Sequence, residues 1–155
     1  MKILMGLVLC GACALGSRGA HAQGVVPSPA ITGTTVTPFS AATRVGDTLY
    51  ISGSVGADRA TGKPPADPAV EAAKVLDSVK AVLAKEGMTM DDMVSVTIFC
   101  TDLNLYATFN KVYVTYFKQP YPSRAFIGVK ELVLGAHFEI MGVAQKGVGA
   151  AKVAK

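Results

Sequence analysis

Two segments near the end of the chain, RAFIGV (124–129) and HFEIMGVAQ (137–145), read as strands and carry apolar residues at odd and even positions alike. Successive strand side chains point to opposite faces, so a sheet built from such segments is apolar on both faces and needs cover on both. The chain offers only two strong helical patterns to provide that cover. In the first, Asp67 and Pro68 supply an N-cap and a proline at the first helical position. Ala72, Val75, Leu76, Val79 and Leu83 then recur at helical spacing up to Glu86-Gly87, which leaves Glu71, Lys74, Asp77 and Lys85 on the face expected in solvent. The second pattern starts near Asp102, carries Tyr106, Phe109, Val112, Tyr113, Tyr116 and Phe117 on one stripe, and stops at Gln119-Pro120.

Further strand-like segments are FSAATRV, TLYISG after the Gly46-Asp47 turn, and MVSVTIFC, so the predicted order is ββαβαββ. The expected fold class is α+β, a mixed sheet with both helices on one face. Since no third helix is available, the second apolar face is expected to be buried against other copies of the chain.

The N-terminus stands apart from this pattern. Met1-Lys2, the apolar run ILMGLVLCGACALG and the Ala20-His21-Ala22 triplet read as a secretory signal peptide over 1–22, cleaved before Gln23. An uncleaved anchor is the alternative, against which the apolar run is short; Leu9 before Cys10 is bulky where a lipidation signal wants a small residue. The expected organisation is therefore a signal peptide (1–22), an N-terminal segment (23–37), one domain (38–145) and a flexible tail (146–155), with a periplasmic or secreted location and no membrane attachment after cleavage. Cleavage would leave Cys100 as the only cysteine and so no internal disulfide. It would also leave 13 basic against 11 acidic residues, and between 23 and 145 the balance is 10 against 11, so the pI near 9.0 points to no nucleic-acid partner.

The runs RVGDTLYISG, DLNLYATFNKVYVTYF, PYPSRAFIGV and HFEIMGVAQ, in this order and at these spacings, resemble the RidA family, also called YjgF/YER057c/UK114. The match runs from about Pro38 to Gln145. It implies a chorismate-mutase-like fold, a homotrimer with ligand clefts between subunits, and hydrolysis of reactive enamine or imine intermediates to 2-keto acids and ammonia, without metal or cofactor.

Arg124 falls on the family's arginine in the P-x-R turn, where the resemblance implies that it holds the substrate carboxylate. A guanidinium can fork two N–H donors onto a carboxylate. Taken alone, the residue could equally snorkel from a strand end or pair with Glu131 or Glu139. Phe39 matches a common tyrosine and keeps the ring without the hydroxyl. Gly53 matches a glycine that admits backbone to the ligand, though a plain turn glycine is an equal reading. Asn110 aligns with a family asparagine on the second helix, where a surface polar residue is an equal reading. Phe126 stands where many members carry cysteine, two residues past Arg124 and on the same side of its strand.

The departure is Met141. The family's closing strand usually has two acids two residues apart; here the first is Glu139 and the second, thought to position or activate water, is a thioether with no useful basicity. His137 is the only histidine after residue 22 and shares the parity of Glu139 and Met141, so it reads as a general base or as a surface or interface residue. Cys100 ends an apolar strand with no histidine in register and reads as an inert thiol. Beyond residue 22 the chain has no glycine-rich phosphate loop, no HExxH and no CxxC, and neither metal nor nucleotide chemistry is expected. Two functions follow: an exported imine/enamine deaminase, or a trimeric binding protein for small carboxylates that kept the clamp and lost hydrolysis.

Overall fold

The computed structural model describes residues 24–27, 37–58 and 60–149. The chain runs β1 (Gly24–Pro27), β2 (Ser40–Val45), β3 (Thr48–Val55), α1 (Pro68–Lys85), β4 (Met93–Cys100), α2 (Tyr106–Tyr116), β5 (Ser123–Gly128) and β6 (Phe138–Gln145). The six strands form one sheet in the order β1-β2-β3-β6-β4-β5, antiparallel except for the parallel pair β4 and β5. The expected α+β fold is thus observed, with one strand more than the sequence suggested: the short GVVP segment within 23–37 adds to the free edge of β2. The signal peptide expectation lies outside the described residues.

Both helices lie on one face. Asp67 caps α1 by accepting from the Ala69 amide at 2.8 Å, and Ala72, Val75, Leu76, Val79 and Leu83 are buried against Leu49, Ile51, Ile140 and Ala144 of the sheet. The second helix begins at Tyr106, the first residue of its apolar stripe, rather than near Asp102: Leu103–Leu105 form a single 3-10 turn capped by Asp102, and the α-helix ends at Tyr116, three residues before Gln119, with Phe117 just past its end. Its Phe109 packs on Phe138 of β6 and Phe126 of β5, with ring centroids 4.9 and 5.5 Å apart.

Among the described residues nothing covers the other face of the sheet. The register places Thr43 and Tyr50 beside Val143 and Ser95, then Thr97 between Met141 and Ala125, then Phe99 between Glu139 and Ile127. Tyr50, Met141 and Ile127 are exposed there. Covering a large apolar side chain is worth about 1.5 to 3 kcal/mol, so this face favours a partner surface.

One expectation about an individual residue is corrected. Glu71, expected in solvent, is completely buried. Its carboxylate accepts from the amides of His137 (2.7 Å) and Phe138 (2.9 Å) and meets His137 Nδ1 at 2.7 Å, so α1 is pinned to the start of β6. The buried charge is tolerated because three donors replace its water. Gly56 makes the room: a Cβ there would lie 2.6 Å from the Glu71 carbonyl oxygen.

Just past β6 the backbone is tied to the turn before β4. Asp92 Oδ1 accepts from the amides of Gly147 and Gly149 at 3.0 and 3.2 Å, while Asp92 Oδ2 accepts from the Thr89 amide at 2.8 Å. Burial pushes the Asp92 carboxyl up, but these donors outweigh it and hold it below its ordinary range.

Candidate functional site

Arg124 lies near the start of the edge strand β5, level with Val96 of β4, and its side chain turns to the helix side. Nη1 donates to Asn110 Oδ1 at 2.7 Å and Nη2 donates to the Tyr106 hydroxyl at 3.2 Å. The guanidinium carbon sits 4.7 Å from the centre of the Tyr113 ring, a cation–π contact that supports its flat face. Tyr106, Asn110 and Tyr113 are spaced i, i+4, i+7 on α2, which brings them onto one stripe. One helix therefore grips one guanidinium through three side chains. Among the described residues Arg124 has no carboxylate partner, so the pairings with Glu131 or Glu139 do not form, and three of its five N–H bonds remain for a ligand.

Phe126 completes this cluster. It lies level with Ile98 on the same face as Arg124, and its ring meets Tyr106 edge-on at 5.0 Å and Phe109 at 5.5 Å. Below it, Tyr113 is only 4% exposed, and its hydroxyl has no hydrogen-bond partner among the described residues. Burial pushes the Tyr113 phenol up to about 12, against the opposing pull of Arg124.

The remaining expected site residues form a second group, on the open face. Between Ile51 and Ser54 the pairing of β3 with β6 slips, so Ser52 and Gly53 together face Met141 in a bulge. Gly53 is not in the left-handed region, which removes the turn reading. Instead a Cβ there would overlap Oε1 of Glu139, so the glycine makes room for that carboxylate. The Ser52 hydroxyl donates to the carbonyl of Ser40 at 2.7 Å, which ties the bulge to the start of β2, and Phe39, the residue before Ser40, is exposed.

Arg124, Asn110 and Phe126 are thus brought together, as are Gly53, Glu139 and Met141, with Phe39 one residue before the strand end tied to that bulge, but the two groups are not joined within one chain. Met141 and Ala125 flank Thr97, and strands lie about 4.8 Å apart, so their backbones are separated by roughly 10 Å. Arg124 is displaced a further residue along β5, and its side chain points to the opposite face.

His137 does not stand alone, because Glu71 holds it just ahead of the start of β6. Cys100 is fully buried, its thiol pushed up by burial and directed at the Asp102 carbonyl, as an inert thiol should be. Tyr106 and Tyr113 belong to the arginine cluster and read in the sequence only as part of an apolar stripe; the polar Asn110 between them, on the same stripe, was the available signal. Among the described residues no three His, Cys, Asp or Glu side chains gather in a way that could hold a metal.

The six-stranded sheet with two helices on one face defines a RidA-like α+β architecture. Residues 31–146 match the Endoribonuclease L-PSP family, and the chain belongs to that family, the RidA/YjgF/Rid group. A RutC family protein, y4sK, of Sinorhizobium fredii is 40% identical over 109 residues, covering 70% of this chain and 86% of the relative. The 2-iminobutanoate/2-iminopropanoate deaminase of Mus musculus is 35% identical over 111 residues, covering 71% of this chain and 82% of the mouse protein. Among solved structures, RidA from Psychrobacter sp. PAMC 21119 superposes with a TM-score of 0.68 at 31% identity, covering 78% of this chain and 94% of that one. TdcF of E. coli with bound serine gives 0.70 at 28% identity, covering 80% of this chain and all of TdcF.

Proposed function

We propose that this protein hydrolyses small 2-imino acids, and their enamine tautomers, to 2-keto acids and ammonia, with Arg124 as the carboxylate clamp. The observation that carries the reading is the braced guanidinium: α2 holds Arg124 through Asn110 and Tyr106 with three donors unused. Presetting reduces the entropy lost when a ligand binds. Relatives named 2-iminobutanoate/2-iminopropanoate deaminase at about 35% identity support it, as does the serine bound in TdcF, an amino acid whose carboxylate a clamp of this kind would hold.

In the reaction, water adds to the electrophilic imine carbon, the nitrogen takes up protons, and the carbinolamine collapses to ketone and ammonia. Holding the carboxylate fixes the imine carbon relative to the water. The second group of residues, around the β3 bulge, would come from a neighbouring subunit of a homotrimer, with Phe39 as an apolar wall. The open apolar sheet face and the division of the site between the two sheet faces support that assembly. Glu139 is the one carboxylate of that group, with Met141 where the second acid of the family stands.

A binding role without turnover is the second reading, and Met141 favours it, since a thioether cannot take a proton from water. We also propose that the protein is exported, on the strength of the leader-like first 22 residues. Ammonia release from imines generated in situ, set beside equilibrium binding of 2-oxobutanoate, separates the two functions. Turnover above the buffer rate supports the hydrolase; binding alone supports the carrier.

A further inference from the structure

Five tyrosines occur in the chain, and three of them lie on α2 with hydroxyls in very different circumstances. The Tyr116 hydroxyl is committed to structure, bonded to the Ala73 carbonyl at 3.1 Å and to Asp77 at 2.8 Å. That of Tyr113 is sealed beneath Arg124. Only that of Tyr106 is both on the arginine and open to solvent: the residue is 46% exposed, and its oxygen lies 3.2 Å from Arg124 Nη2.

Donor and acceptor accounting at this oxygen is decisive. A guanidinium only donates, so in the Arg124–Tyr106 bond the phenol oxygen is the acceptor. The phenol keeps its own hydrogen, and that hydrogen has no acceptor among the described residues. An N–H donated into a hydroxyl oxygen polarises the O–H bond and makes it a better donor. Asn110 behaves differently. Its carbonyl oxygen must face Arg124 for the same reason, and its role at 2.7 Å is to hold the arginine. The Tyr106 ring is itself steadied, edge-on to Phe126 with an interplanar angle of 86°. A steadied hydroxyl beside a cation, with its proton directed outward, suits an anion already bound to that cation.

We infer that Tyr106 is a second ligand-contacting residue of this site, its O–H donating to a carboxylate oxygen of the ligand held by Arg124. The site is then a three-donor anion cradle, two N–H bonds from the arginine and one O–H from the tyrosine, drawn from β5 and α2. The inference rests on the reading of Arg124 as the carboxylate clamp. It adds a preference: ligands with a full carboxylate oxygen on the α2 side gain a contact that the guanidinium alone does not provide.

The test uses the full assembled protein and 2-oxobutanoate as the probe. Tyr106→Phe keeps the ring and its contact with Phe126 and removes only the hydroxyl. Its dissociation constant for 2-oxobutanoate, measured by calorimetry, is expected to rise about tenfold, the usual scale for losing one hydrogen bond to a charged group. Oligomeric state and melting temperature should stay as in the wild type. A purely structural hydroxyl would not respond to ligand, so 3-fluorotyrosine-labelled protein gives a second readout. The ¹⁹F resonance lost in Tyr106→Phe should move on addition of 2-oxobutanoate. An unchanged dissociation constant or an unmoved resonance, with binding abolished in Arg124→Ala, overturns the role of Tyr106 and leaves the clamp standing. Unchanged binding in Arg124→Ala overturns the clamp, and the Tyr106 contact with it.

Discussion

At the scale of single residues, the arginine cluster separates charge from shape. Arg124→Lys keeps a cation but cannot reproduce the planar fork, nor reach Asn110 and Tyr106 together while offering paired donors. We predict that it recovers little of the affinity lost in Arg124→Ala, where truncating a charge-assisted contact costs about 2 to 5 kcal/mol. Titration of both variants with 2-oxobutanoate checks this. Met141 poses the opposite case, a missing charge. Introducing a base by Met141→Glu is predicted to raise imine hydrolysis about tenfold to a thousandfold, from just below to within the usual range of about a hundredfold to ten-thousandfold for positioned general bases. Coupled ammonia detection measures the gain, and the Arg124→Ala background should erase it, because a poised water needs a held substrate.

At the scale of elements, two fastenings join parts of the chain that the sequence keeps far apart. Glu71 takes the amides that open β6, and Glu71→Ala would leave both without acceptors inside the protein. A loss of about 3 kcal/mol is predicted, given about 1 to 3 kcal/mol for each buried group left unsatisfied. Urea unfolding measures it. Asp92 fastens residues 147–149, and its folded carboxyl lies below the ordinary 3.8. Its contribution is therefore fully present above pH 4 and is lost as pH falls through the lowered folded value. Hydrogen exchange at the Gly147 and Gly149 amides should speed up selectively below pH 4, and in Asp92→Asn the loosening should already be present at neutral pH.

These fastenings also mark where sequence reading stops. The apolar stripes of both helices and the double-sided strands were legible because burial leaves a period in the sequence. Glu71 was not, because a carboxylate on a helix looks solvated until the backbone that caps it, 66 residues on, is folded against it. Strand β1 escaped because four residues ending in proline become a strand only beside the edge of β2. In the site, Asn110 and Arg124 were legible one by one. Their bond, and the part of Tyr106 in it, depends on how α2 lies over β5, which no local pattern states.

At the scale of the whole molecule, among the described residues the sheet has one face under helices and one without cover, and the expected site residues are divided between those two faces. A single chain presents Arg124 with its α2 partners on one side and the Gly53, Glu139 and Met141 group on the other. A homotrimer joining them is predicted, and light scattering at micromolar concentration should give three times the mass of the chain.

Ammonia release from 2-iminobutanoate, generated in situ and compared between the wild type and Arg124→Ala at matched oligomeric state, tests the central claim most directly. The wild type should release ammonia faster than buffer, and the variant should fall back to the buffer rate. Equal rates in the two proteins would contradict the account, because hydrolysis would then proceed without the carboxylate clamp.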